Sequence, residues 1–149
     1  MGQCNHKNVV RCYTSFVEGT DLWLVMPLLN AGSCLDILQQ NFFKGVKDEC
    51  VIATIIKEVM NGLVYLHDNR KVHRDVKCGN FLMDMEGNVT ISDFGVSTTL
   101  MRGQKCNDFA GSPCWMAPEV VKQTGHDFGA DTWSLGVSAI ELAQGQAPF

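Results

Sequence analysis

The chain contains two stretches in which apolar residues recur every three to four positions, the spacing of one helix face. The longer stretch predicts a helix over about residues 48–67, with these apolar positions on its buried side: Ile52, Ile55, Ile56, Val59, Leu63 and Leu66. The second predicts a buried helix over about residues 131–143, with Trp133, Val137, Ile140 and Leu142. Ser33 followed by Asp36 has the spacing of a capping box and predicts a shorter helix ending near Gln40.

Short runs of β-branched and aromatic residues predict two hairpins. Residues 9–16 and 22–26 form the first pair of runs, separated by a polar turn that contains Gly19. Residues 81–83 and 89–91 form the second pair, joined by a polar segment that contains Gly87. Helices and hairpins together predict an α+β chain.

Composition and charge narrow the class of protein. The 149 residues are 46% hydrophobic and 19% charged, as in one ordinary domain with a real core. The formal charge of −4 and the absence of a Lys/Arg cluster argue against nucleic-acid binding. The longest unbroken apolar run, residues 22–29, contains a proline and is too short to span a bilayer. The first seven residues lack the pattern of a secretion signal. We therefore expect a cytoplasmic protein with no membrane or nucleic-acid partner.

The seven cysteines are odd in number, and no two form a Cys-x-x-Cys pair. This pattern suggests neither a disulfide framework nor a zinc site. We expect reduced thiols without a role in metal binding.

Three polar motifs follow one another along the second half of the chain. The first, between the long helix and the second hairpin, reads His73-Arg74-Asp75-Val76-Lys77-Cys78-Gly79-Asn80. Asp93-Phe94-Gly95 comes directly after the hairpin, and Ala117-Pro118-Glu119 follows later. Each motif alone is weak evidence, but their order around a hairpin resembles the eukaryotic protein kinase signature set.

The resemblance implies a role for each polar residue of the first two motifs. Phosphoryl transfer needs a carboxylate near the attacking hydroxyl and oxygen ligands for Mg²⁺. Asp75 matches that carboxylate, and Asn80 and Asp93 match the metal ligands. Lys77 would reach the transferred phosphate as a point charge. A lysine at that place is typical of kinases that act on Ser or Thr.

Further segments resemble the sterile-twenty-like kinases of the germinal-centre type, with the oxidative-stress-responsive and SPAK-like branch the most similar. They are residues 93–97, 113–120 and 22–26. The resemblance runs from Gln3 to Phe149 and implies an ATP pocket. In that pocket Met26 is the gatekeeper, the backbone of Pro27 and Leu29 forms the hinge, and Leu82 supplies the apolar floor.

Residues 93–119 would be the activation segment, which Phe94 and Gly95 open. Arg74 is placed to pair with a phosphate in this segment, and Ser112 retains a hydroxyl that the family directs toward the catalytic Asp and Lys. Asp108 stands where relatives often carry a phosphorylatable threonine. Two interpretations of this departure are open: partial replacement of the phosphate by the carboxylate, or drift on a solvated loop.

Three more residues have structural roles by resemblance. His73 is expected to stack with Phe94 in a buried spine. Asp131 is expected to hold the backbone of the catalytic loop, because a buried acid needs partners that offset its desolvation. Glu119 is expected to pair with an arginine that would lie downstream of Phe149.

The resemblance predicts a protein-kinase-like fold that is present in part. An upper-lobe remnant would comprise about residues 1–26, the hinge 27–32, and a mostly helical lower lobe 33–149. No glycine-rich phosphate loop and no Val-Ala-Ile-Lys lysine occur within the 149 residues. We expect a fragment of a serine/threonine kinase that uses ATP and Mg²⁺ and phosphorylates protein hydroxyls in a stress or signalling cascade. We also expect an upstream kinase that activates it. The alternatives are a pseudokinase-like scaffold or adaptor, and an inactive truncated product.

Overall fold

A computed structural model describes residues 5–148 of the chain, so Cys4 and both terminal residues lie outside the described residues. The first strands, β1 (Thr14–Glu18) and β2 (Asp21–Val25), form an antiparallel hairpin in which Phe16 lies opposite Trp23. Their two rings stack with 6.2 Å between centroids. All ten residues of the hairpin are exposed, which leaves apolar side chains in solvent on both faces.

The remaining elements form a mostly helical unit with two small sheets. The helices are α1 (Cys34–Asn41), α2 (Glu49–Asp68), α3 (Pro118–Val121) and α4 (Gly129–Gln144). The strands are β3 (Gly32–Ser33), β4 (Lys71–Val72), β5 (Phe81–Met83), β6 (Val89–Ile91) and β7 (Thr98–Thr99). These strands pair with one another antiparallel: β5 lies between β3 and β6, and β4 pairs with β7.

The predicted starts and extents of the main helices are confirmed. Ser33 Oγ accepts from the Asp36 amide at 3.1 Å, and the Asp36 carboxylate accepts from the Ser33 amide at 2.9 Å, so the capping box is complete. Asp48 caps α2 by accepting from the amide of Cys50. The left-handed Gly145 ends α4, where a residue without Cβ is favoured.

The main core lies where α1, α2 and α4 meet the β5–β6 hairpin. Its buried members are Val9, Cys34, Leu38, Ile55, Val59, Leu63, Leu66, Val76, Cys78, Phe81, Val89, Ile91, Leu135 and Leu142. Burial raises the pKa of the Cys34 thiol to about 12 and raises that of Cys78 as well. Both cysteines are therefore protonated packing residues at neutral pH.

The prediction of a strand over residues 9–16 is wrong for its first half. Regular pairing begins at Thr14. Val9 and Val10 are buried, and their segment attaches to β6: Val10 N donates to Ile91 O, and Ile91 N donates to Asn8 O, both at 2.9 Å. The apolar character of these two valines therefore reflects burial against the mostly helical unit, which we call the lower unit.

Helix α2 is long and apolar enough, by length and composition alone, to cross a membrane. Core helices of soluble proteins meet the same criterion, so this is weak evidence. Its buried residues, among them Val59 and Leu66, pack in the protein core. The expectation of no membrane partner stays a prediction.

The loop between α1 and α2 packs tightly onto the end of α4 and gives a test of the fold. A Cβ at Gly45, where φ is +80°, would lie 2.0 Å from the carbonyl oxygen of Ala143. Gly103 has nearly the same φ, +78°, but open space around it. We expect Gly103→Ala to cost about 1 kcal/mol of unfolding free energy from backbone strain alone. Gly45→Ala should cost at least about 2 kcal/mol more from the clash. Urea denaturation of both variants measures the difference, and equal losses would contradict this packing.

Candidate active site

The segment of residues 73–80, which we call the catalytic segment, connects β4 to β5 and contains most of the predicted catalytic residues. Its start is fixed by Asp131 of α4, which is fully buried. The two carboxylate oxygens of Asp131 accept from the amides of His73 and Arg74, each at 2.8 Å, and Oδ2 also contacts His67 Nε2 at 2.8 Å. Arg74 adopts a left-handed φ of +72°, so these bonds hold an uncommon backbone turn in place.

His73 lies at the bottom of this turn as a neutral, buried ring. Burial lowers its pKa despite the nearby carboxylates of Asp131 and Asp75. Its Nε2 pairs with the carbonyl oxygen of Ser92 at 2.9 Å, and its Nδ1 accepts from the Asp75 amide at 3.2 Å. The ring also meets Phe94 edge-on, with 5.2 Å between centroids. His73 therefore ties the catalytic segment to the start of the activation segment.

Three side chains donate to the Asp75 carboxylate. Ser112 Oγ donates to Oδ1 at 2.7 Å, and Asn80 Nδ2 and Lys77 Nζ contact Oδ2, each at 3.0 Å. Lys77 Nζ also donates to Ser112 Oγ at 2.6 Å, which closes a ring of contacts. Because an ionised carboxylate offers about four acceptor positions, these donors leave room for one more at Oδ1.

The same contacts set the protonation state of Asp75. Partial burial acts to raise its pKa, but the hydrogen bonds from Ser112, Lys77 and Asn80 and the charge of Lys77 outweigh burial and lower the pKa. These contacts add their full contribution to the free energy of unfolding at pH values above the ordinary pKa of 3.8. That contribution is lost as the pH falls through the lowered pKa of Asp75. Asp75 is therefore ionised at neutral pH.

Asn80, which contacts Asp75, and Asp93 supply the oxygen atoms that could act as metal ligands. Asn80 uses its amide nitrogen toward Asp75, so its amide oxygen takes no part in these bonds. Asp93 has φ +63°, and its Oδ1 accepts from the amide of Gly95 at 3.2 Å. Within residues 5–148, no three His, Cys, Asp or Glu side chains form a metal-binding group. Mg²⁺ needs no such group, because it takes few protein oxygens and completes its shell with water and phosphate. The donors present therefore fit Mg²⁺.

A cavity of about 560 Å³ lies between the β1–β2 hairpin and the lower unit. Six residues from the predicted ATP site and activation segment line it: Met26, Leu82, Asp93, Phe94, Gly95 and Ser97. Val10, Leu24 and Cys12 also line it, and sequence reasoning did not single them out. Pro27 and Leu29 instead line a second depression, together with Glu58 and Asp84. The volume and the mostly apolar walls suit a ligand of nucleotide size.

The activation segment is attached to Arg74 at two places. Arg74 Nε donates to the carbonyl oxygen of Val96, and its Nη1 lies 3.3 Å from Asp108 Oδ2. The Arg74 side chain is only 10% exposed, whereas that of Asp108 is 75% exposed. Glu119 is the second residue of α3 and is half-buried. Its pairing with an arginine stays a prediction.

Sequence reasoning missed three buried polar residues of α4: Ser134, Ser138 and Glu141. Each hydrogen bonds to the catalytic segment or to the segment after Ser112. Their signal was available, because with Asp131 they occupy positions three, four and three residues apart in an otherwise apolar helix.

Comparison with known proteins gives a match to the family described as protein kinase domain over residues 1–149. The chain belongs to the protein kinase domain family. Its α+β architecture, with a hairpin above a mostly helical unit, is the protein-kinase-like fold expected from the sequence. The roles of the individual site residues stay predictions from the family motif and from this geometry.

Several curated kinases are similar to the chain at about half of its positions. Serine/threonine-protein kinase fray2 of Dictyostelium discoideum is 50% identical over 151 residues, covering 100% of the chain and 15% of that protein. Germinal center kinase 3 of Caenorhabditis elegans is 50% identical over 165 residues, covering 100% of the chain and 28% of that protein. Serine/threonine-protein kinase ppk11 of Schizosaccharomyces pombe is 47% identical over 146 residues, covering 97% of the chain and 46% of that protein. The resemblance to germinal-centre kinases is confirmed, and the chain spans less than half the length of these relatives.

The contact between Ser112 and Asp75 gives a test of the site that needs no catalysis. Ser112→Ala removes the donor to Oδ1, so we expect the pKa of Asp75 to rise. Ser112→Thr keeps the hydroxyl and should leave that pKa close to its original value. Titration of the Asp75 carboxyl carbon by NMR measures both variants. An unchanged pKa in Ser112→Ala would show that the hydroxyl does not bond to Asp75.

Proposed function

We propose that this chain is the substrate-binding and catalytic part of a serine/threonine protein kinase, which transfers the γ-phosphate of ATP to protein hydroxyls. The observation that carries the proposal is the ionised Asp75, surrounded by Lys77, Asn80 and Ser112, with one acceptor position left at Oδ1. The names of the relatives and the family match support the same reaction.

In this proposal Asp75 orients the substrate hydroxyl. The hydroxyl of a Ser or Thr side chain donates to Oδ1 and so points its lone pair at the phosphate. A carboxylate with a lowered pKa is a weak base, so its main contribution is orientation, with proton acceptance late in the transfer. Lys77 lies beside the same carboxylate, and in this proposal its positive charge is next to the phosphoryl group during transfer.

ATP would occupy the cavity beneath the hairpin. Its base would contact the apolar walls near Met26 and Leu82, and its phosphates would lie toward Asp93. Asn80 and Asp93 would hold Mg²⁺, which supplies neutralisation of phosphate charge. The backbone of Pro27 and Leu29 forms the hinge in this proposal, although both residues line the second depression.

Regulation and partners are also part of the proposal. The partners are protein substrates with Ser or Thr acceptors and an upstream activating kinase, in a stress or signalling cascade in the cytoplasm. The contact between Arg74 and Asp108 supports the interpretation that a carboxylate partly replaces an activating phosphate.

The first test compares the chain alone with a longer kinase that adds a glycine-rich loop and strand lysine to it. We expect the 149 residues alone to phosphorylate a generic protein poorly with Mg-ATP, because these two parts of the nucleotide site are absent from them. The longer kinase should be active, and Asp75→Asn should lower its kcat on the order of 10²–10⁴-fold. Asp68→Asn, on the exposed end of α2, makes the same charge change and should have no effect.

Strong activity of the 149 residues alone would support kinase function but contradict the expected inactivity of the chain, and would show that the loop and lysine are dispensable. One result would contradict the proposal itself. A longer kinase without activity, in the presence of an upstream kinase, would favour the scaffold or adaptor interpretation.

The contact between Arg74 and Asp108 predicts basal activity without phosphorylation at this position. Asp108→Ala should lower the basal activity of the longer kinase about fivefold, as expected for a pair worth about 1 kcal/mol. Asp108→Thr should be equally low until an upstream kinase phosphorylates the threonine and restores the activity. Phosphotransfer assays with and without that kinase measure both effects. Unchanged basal activity in Asp108→Ala would favour drift on a solvated loop.

A further inference from the structure

His126 joins the activation segment to the connection between α3 and α4, and it is only 1% exposed. Its backbone forms a bridge to Cys106: Cys106 N donates to His126 O, and His126 N donates to Cys106 O, both at 2.8 Å. Cys106 lies two residues before Asp108, whose carboxylate contacts Arg74. The bridge therefore attaches the middle of the activation segment to the lower unit, next to the contact with Arg74.

The buried ring of His126 has no polar contacts. Within the described part of the chain, neither Nδ1 nor Nε2 has a hydrogen-bond partner. Such atoms are rare in native proteins. The void beside the ring measures about 10 Å³, which is at the lower limit of what one water molecule needs. Most of its walls belong to a small apolar cluster, formed by Met116, Ala117, Val120 and Ala130. A protonated ring would need acceptors for two N–H groups, and these side chains offer none.

The charges around the ring come from the catalytic segment, the activation segment, α3 and α4. They are Arg74, Lys105, Asp108, Glu119 and Asp131. Burial lowers the pKa of His126, and the nearby guanidinium of Arg74 lowers it further. The carboxylates of Glu119, Asp108 and Asp131 act in the opposite direction but do not outweigh burial. The ring is therefore neutral at pH 7.

The direction of this shift determines how pH acts on the contact. When the bridge opens and water reaches the ring, its pKa returns toward the ordinary value of 6.5. The open form therefore takes up a proton at a higher pH than the closed form. The closed form has its full stability above pH 6.5 and loses stability as the pH falls from 6.5 through the lowered pKa of His126. Mild acid thus favours opening.

We propose that His126 forms a pH-sensitive contact, which holds the activation segment against the lower unit while the ring is neutral and releases it when the ring is protonated. This inference rests on the proposed kinase function for its effect on activity. Release of Cys106 frees the nearby Asp108 from Arg74, the residue before Asp75. Protonation of His126 should therefore lower kinase activity without any change in phosphorylation.

Two NMR measurements on the 149-residue chain test the contact without catalysis. The His126 ring should titrate below pH 6.5. The amides of Cys106 and His126 should lose about fivefold of their protection from hydrogen exchange between pH 7 and pH 5.5, after correction for the intrinsic rate. Uptake of a single proton limits such a loss to about tenfold per pH unit. The amide of Val46, which donates to Leu142 O at 2.8 Å in the loop between α1 and α2, should keep its protection.

A matched pair of histidine variants isolates the effect of the ring. His126→Phe keeps a planar ring and removes two unpaired polar atoms, so we expect it to fold with at least the stability of the original chain. Its Cys106 amide should keep the same protection at pH 5.5 as at pH 7. His6→Phe makes the same change where the ring stacks on Tyr65, and it should retain the acid-dependent loss at Cys106. If His126→Phe does not fold, the titration of the original ring carries the test.

The same variants give the effect on activity in the longer kinase. Between pH 7 and pH 5.5, the kcat of the unmodified kinase should fall about fivefold more than that of His126→Phe, in line with the loss of protection. His6→Phe should fall as the unmodified kinase does. Other groups of the site also titrate in this range, and the comparison between variants removes their contribution.

The outcomes separate this inference from the proposed function. A His126 ring that titrates at or above pH 6.5, or a Cys106 amide whose protection does not depend on pH, overturns the inference and leaves the kinase function standing. An active kinase in which His126→Phe loses as much activity in acid as His6→Phe overturns it as well. A longer kinase without activity at any pH overturns the proposed function and the inferred effect on activity, whereas the titration and exchange results still decide whether the contact exists.

Discussion

The buried carboxylate of Asp131 is the contact on which the geometry of the site depends. It joins α4 to two successive amides of the catalytic segment and to His67 of α2. Desolvation of a charge costs several kcal/mol unless donors replace the lost water, and here three donors do so. The left-handed backbone of Arg74 is maintained because the peptide units on both sides of it are held: Asp131 accepts from the Arg74 amide, and His73 Nδ1 accepts from the Asp75 amide. This turn at Arg74 therefore orients Asp75, the next residue.

The same turn connects catalysis to the activation segment. The backbone of Arg74 is fixed by Asp131, and its side chain reaches both the carbonyl of Val96 and the carboxylate of Asp108. A change in the activation segment therefore acts on a residue adjacent to Asp75. Because the Arg74 side chain is almost fully buried, an unpaired guanidinium there is unfavourable, and an acidic partner is favoured whether it is a carboxylate or a phosphate.

Local signals explain how much of this architecture could be predicted from the sequence. Helical periodicity located α2 and α4, and the Ser33 and Asp36 pair located the start of α1. The two-residue strands β3, β4 and β7 were missed, since two residues cannot show an alternating pattern. Val9 and Val10 were assigned to a strand because burial against β6 and strand pairing select the same side chains. The spacing of Glu141 with the other polar residues of α4 marks it as buried, but its partners, a distant backbone amide and an indole, cannot be identified from local spacing.

Asn80 links the two carboxylates around which the proposed chemistry takes place. Its side-chain amide donates to the backbone oxygen of Asp75 at 2.7 Å and to Oδ2 at 3.0 Å. Its backbone oxygen accepts from the amide of Ser92 at 2.9 Å and from the Ser92 hydroxyl at 3.1 Å, one residue before Asp93. The separation between Asp75 and Asp93 is therefore set by Asn80 through these four hydrogen bonds, together with His73, which bonds the Asp75 amide and the Ser92 carbonyl. Phosphoryl transfer depends on the distance between the acceptor hydroxyl and the metal-bound phosphate, so a rigid link between their two carboxylates is what this reaction requires.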